Sequence, residues 1–180
     1  GREGNFDASS ERELKIEGFH GPFVEVRPNT AEPVVSSGVF SGGSWLIQYQ
    51  SDGTQERWED QGIAQPMAFY HGMKVRDFVK RFIQIDWLDK KLPIETNYAS
   101  NCNAFWNGTS INLLNAGGDC AHSGLIADVL YHEWGHGLDH NIGGIADVAF
   151  SEGIGDVTSM LMTFSNILAP NFFLDGGGVR

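Results

Sequence analysis

The chain has 180 residues, enough for one domain or a domain with a small appendage, and its 41% hydrophobic and 12% aromatic content excludes bulk disorder. Twelve Lys and Arg against 23 Asp and Glu give a net charge of -11 and a pI near 4.8, which disfavours nucleic acid and anionic membrane surfaces as partners. No stretch approaches the roughly 20 apolar residues of a membrane span, and Gly1-Arg2-Glu3-Gly4 is not the start of a signal peptide, so any targeting segment is expected to have been removed already.

In chain order, residues 1–65 read as an irregular, β-rich part. Alternation predicts a strand from Phe23 to Arg27, and a hairpin is expected from Trp45 to Trp58 around Asp52-Gly53, after a Gly/Ser-rich loop over Ser36 to Ser44. Pro66 suits the first turn of a helix that keeps Met67, Tyr70, Met73, Lys74, Phe78 and Phe82 mostly apolar on one side. Ile94, Thr96 and Tyr98 alternate as a strand. Asn103 to Trp106 and Thr109 to Leu114 flank Asn107-Gly108, which predicts a second hairpin with a type I′ turn. Ser123 is placed to cap a helix running to about His140, where Gly143 and Gly144 stop it. Asp147 or Ser151 is placed to cap another that ends before Pro170, and Gly176 to Gly178 form a flexible tail. The fold class expected is α+β, divided into residues 1–65 and a catalytic region over 66–180.

Cys102 and Cys120 are the only cysteines, and neither has a Cys or His neighbour at metal-site spacing. The expectation is a disulfide in a secreted, extracellular protein, with the periplasm or cell surface as other locations.

His132-Glu133-Trp134-Gly135-His136 is an HExxH motif. At about 100° per residue His136 lies about 40° round a helix from His132, so two imidazoles one turn apart aim at one cation, with Glu133 on the flank of that face. Catalytic zinc takes three protein ligands and keeps a fourth position open. Glu152 and Asp156, one turn apart after the Gly-Gly reversal, are the leading candidates for the third. His140 lies four residues further along the same helix and overshoots, and Asp139 reads as a solvated or outer acid. A metzincin pattern would need its glycine and third histidine at Asp139 and Ile142, which excludes it.

HEWGHGLD followed by SEGIGD resembles the thermolysin-like and fungalysin-like zinc metallopeptidases, of the gluzincin type, whose third ligand is a glutamate with an aspartate four residues beyond it. The resemblance implies a thermolysin-like zincin domain with Glu152 as third ligand and Asp156 as the carboxylate that orients a ligand histidine. Asn103-Ala104-Phe105-Trp106-Asn107-Gly108 is similar to the substrate-binding edge strand of thermolysin-like enzymes, which implies contacts from the Asn103 side chain and the Ala104 backbone to an extended peptide. It covers about residues 66–168. The segment from His136 to Glu152 is shorter than in thermolysin-like proteins, and no histidine follows His140 to stabilise an oxyanion. The chain is therefore expected to be the zinc-bearing part of a longer protein, cut after Arg180 or completed by a second chain; Tyr98 and Tyr131 are substitutes for the missing group, although Tyr131 points away from the zinc face.

The function expected is zinc-dependent endopeptidase activity on peptide or protein substrates, with Glu133 as general base. One alternative is a non-catalytic zinc-stabilised binding or assembly module; another keeps hydrolysis with Asp147 or Asp156 as third ligand. Calcium is compatible with a secreted acidic metallopeptidase, but Asp86, Asp89 and Asp119 form no EF-hand loop and no calcium site is assigned.

Overall fold

Leu92, Ile94 and Thr96 turn inward along a strand whose Pro93 and Glu95 are half-buried, and this alternation sets up the central sheet of the chain. The computed structural model describes residues 12–40 and 61–179, and the hairpin expected from Trp45 to Trp58 lies outside them. The described fold is mixed α+β: β1 (Arg12–Glu17), β2 (Val24–Pro28), β3 (Val35–Phe40), α1 (Gln61–Val79), β4 (Leu92–Tyr98), β5 (Ala104–Trp106), β6 (Ile111–Leu114), α2 (Ala127–Asn141) and α3 (Val148–Thr163). β1 and β3 form an antiparallel pair of their own. The four-stranded sheet runs β2-β4-β6-β5, with β2, β4 and β6 parallel and β5 antiparallel to β6. Among the described residues, short β5 is thus an edge.

Helix α1 lies against β2 and β4 and α2 against β5 and β6, around a core that includes Val24, Val26, Val75, Ile94, Ile111, Leu113, Leu130 and Trp134. Every residue of β6 is buried, which is why its sequence Ile-Asn-Leu-Leu shows no clean alternation. The polar member, Asn112, donates to the carbonyl oxygens of Phe105 and Ser110.

Four local expectations are corrected. Ser36 to Phe40, expected as part of a Gly/Ser-rich loop, belong to β3 and pair with β1. Helix α1 begins at Gln61, five residues before Pro66, so the proline sits inside it. Buried Gln65 explains the extension: its amide donates to the Glu32 carbonyl and its oxygen accepts from the Val34 amide, pinning this turn onto the strap from β2 to β3. The Asn107-Gly108 turn is not type I′. Four residues separate Trp106 from Ile111, only Gly108 has a positive φ (97°), and the Asn107 carboxamide oxygen accepts from the Thr109 and Ser110 amides. Ser123 does not cap α2, which starts at Ala127, because its hydroxyl donates to the Leu114 carbonyl and accepts from the Leu114 amide.

Cys102 and Cys120 form a disulfide with their Cα atoms 5.2 Å apart. It joins a residue two positions before the edge strand to a loop that bridges Phe173, while the Ala121 amide donates to the Phe172 carbonyl. The edge strand and the segment after α3 are thereby held together, and closing this short loop contributes about 3 kcal/mol on the chain-entropy account. Among the described residues no helix is long and apolar enough to cross a membrane.

Candidate metal centre

Helix α2 carries the centre and the turn after it returns the chain. Gly143 and Gly144 take positive φ angles of 126° and 73°, and Asp147 then caps α3 by accepting from the Ala149 and Phe150 amides. The helices cross closely because both contact residues lack side chains. A Cβ on Gly135 would stand 2.8 Å from Gly155 Cα, and one on Gly155 would stand 2.7 Å from the His132 ring. This approach brings Glu152 over the two histidines.

The Nε2 atoms of His132 and His136 are 3.0 Å apart, and the Glu152 carboxylate oxygens lie 3.5 Å and 3.4 Å from them respectively. Among the described residues these three form a group able to hold a metal ion. The spacing suits zinc, since bonds of 2.0–2.1 Å to a tetrahedral ion separate its donors by about 3.4 Å. The outer contacts agree. His132 Nδ1 lies 2.9 Å from Asp156 Oδ1, and His136 Nδ1 faces the Ser151 hydroxyl at 3.3 Å. With both Nδ1 atoms protonated, two Nε2 lone pairs and a carboxylate converge on one point, which is the donor chemistry of a soft-to-borderline cation.

Ser151 was legible only as a helix cap, yet its hydroxyl donates to Asp139 at 2.7 Å while facing His136. Asp139 is correspondingly buried, 4% exposed, and also accepts from the Ile145 amide, so it is no solvated acid. His140 stays outside the ligand group and contacts the edge of Trp106. Asp147 is the cap of α3. Tyr131 is buried and its hydroxyl shares a hydrogen bond with His71 Nδ1; burial raises the Tyr131 phenol and lowers His71 to about 4. Tyr98 packs against Phe105.

Glu133 is 7% exposed at the floor of a cleft of about 770 Å3 that also holds His132, His136, Glu152 and Asp156. Burial pushes its carboxyl up to about 7, opposed by a hydrogen bond from the Trp106 backbone and reinforced by the nearby Glu152 carboxylate. Asn103, Ala104 and Phe105 line the same cleft at the sheet edge. The structure therefore brings together the HExxH residues, the downstream acids and the edge strand.

The fold resembles that of the precursor of protealysin, a metalloproteinase from Serratia proteamaculans, with a TM-score of 0.56 and 16% identity over 79% of this chain and 43% of that one. The chain thus spans less than half the length of that protein. At this identity the likeness is one of fold alone. No family model matches the chain and no curated protein matches it in sequence.

Proposed function

We propose that the chain is the catalytic part of a zinc endopeptidase of the gluzincin type, secreted, and acting on peptides or proteins. The observation that carries this reading is the convergence of His132, His136 and Glu152 with buried Glu133 beside them in a cleft whose wall is a strand edge. Zinc held by His132, His136 and Glu152 would supply a Lewis acid that acidifies water and polarises a carbonyl. Glu133, buried beside the three ligands, is placed to take a proton from the attacking water and deliver it to the leaving amine. Ala104 offers backbone groups at the edge of the sheet and Asn103 a carboxamide, and together they hold the substrate extended. Asp156 fixes the tautomer of His132 and Ser151 that of His136, so both Nε2 atoms stay available. Residues 66–180 are the catalytic region of this proposal, with β2, from residues 1–65, in the same sheet as β4, β6 and β5.

The test is incubation of the zinc-loaded chain with a diverse peptide mixture, with and without a chelator. Cleavage abolished by chelation and restored by zinc is the expected result. One tightly bound zinc with no cleavage would favour the non-catalytic module.

Roles of the two acids on α3 separate by metal affinity. Glu152→Ala is expected to weaken zinc binding more than Asp156→Ala, for which the loss should be about 10–100-fold. Competition with a chromophoric chelator measures both. The reverse order would make Asp156 the ligand.

A further inference from the structure

Five carboxylates line the cleft, and four of them have partners or roles: Glu152 in the ligand group, Glu133 beside it, Asp156 against His132, and Asp139 under Ser151. Asp128 is the fifth. It is 9% exposed, and its carboxylate has one hydrogen-bond contact, with the Ser159 hydroxyl at 3.4 Å, which lies closer to the Asp128 carbonyl at 3.0 Å. Among the described residues no Lys, Arg or His pairs with it, and no Lys or Arg lines the cleft.

Helix periodicity fixes where this carboxylate lies. Asp128, His132 and His136 recur every four residues along α2, so Asp128 shares their face and stands about 6 Å along the axis from His132. Val129 bears the same relation to Glu133. Leu168 and Phe172, from the segment after α3, also line the cleft. A buried carboxylate without a cation is costly, and the first turn of α2 offsets only part of that cost through its dipole. An incoming cation with an apolar stem relieves it.

We propose that Asp128 determines specificity, and that the subsite one helical turn from the metal centre takes a lysine or arginine side chain. The methylenes lie on Val129, Leu168 and Phe172, and the cationic head pairs with the carboxylate. The net charge of -11 draws basic peptides in the same direction. Acidic side chains are rejected at this position by like charge. The inference rests on the peptidase reading for its class of substrate.

The test uses two hydroxamates that bind metal identically, one carrying a lysine side chain and the other norleucine, its uncharged counterpart of similar length. Dissociation constants are measured on the zinc-loaded full chain and on Asp128→Asn. The wild type is expected to favour the lysine compound by at least about tenfold, and Asp128→Asn to lose that preference with zinc content unchanged. Equal affinities in the wild type would overturn the assignment, and this comparison stands even if the variant fails to fold. A preference that survives Asp128→Asn would overturn it as well. Because no turnover is required, absence of peptide cleavage counts against the peptidase reading alone, whereas failure of both hydroxamates to bind a zinc-loaded chain would sink the two together.

Discussion

Glu133→Gln is expected to lower kcat by about 10²–10⁴-fold, the usual contribution of a positioned general base, while the chain keeps one zinc and its KM. The argument rests on what the side chain touches. Glu133 lies outside the three-residue ligand group, receives a hydrogen bond from the Trp106 backbone, and is almost wholly buried. A glutamine has the same shape, and its carboxamide oxygen accepts that hydrogen bond, so packing under the edge strand is preserved. It cannot take up a proton from water. The substitution also removes the like charge that Glu152 places beside Glu133, so thermal stability is expected to stay level or rise slightly. Zinc content and turnover measured on one preparation decide the matter: loss of metal together with activity would mean that Glu133 supports the site structurally.

How much of this was legible in the sequence follows from the range of each interaction. The four-residue spacing of His132 and His136 is local to one helix, and the Gly143-Gly144 reversal followed by Asp147 is local to one turn, so both read directly from the chain. The position of the edge strand follows from the short hairpin around Asn107. Its turn type does not, because the Asn107 side chain closes the loop through its own hydrogen bonds. The starts of α1 and α2 depart from their local sequence signals where a side chain bonds outside its own turn: Gln65 to the strap 31 and 33 residues earlier, and Ser123 to Leu114 nine residues earlier. Asp139 likewise reads as a solvated or outer acid until the chain folds back and sets Ser151 between it and His136. Helical periodicity places groups along one element, and the approach of a second element assigns their partners.

The approach of α3 to α2 yields the second large effect, produced without touching any ligand. Gly155→Ala is expected to weaken zinc binding by at least about tenfold, the lower end for disturbing an outer contact of a metal site. The added Cβ would lie 2.7 Å from both Nδ1 and Cε1 of His132, closer than carbon atoms pack, and neither group can yield freely. The ring is held on one side by Asp156 at 2.9 Å, and the helix is held by the contact of Gly135 with Gly155 and Ile154. Either the imidazole rotates away from the point it shares with His136 and Glu152, or α3 moves outward and carries Glu152 with it; both lengthen a ligand bond. Gly153→Ala is the control, since a Cβ there meets nothing within 4 Å. It should bind zinc normally and gain up to about 1 kcal/mol of helix stability, the same propensity gain that overpacking cancels at residue 155. Chelator competition and circular dichroism on the two variants separate metal loss from unfolding, and wild-type zinc affinity in a folded Gly155→Ala would show that the helix crossing does not position His132.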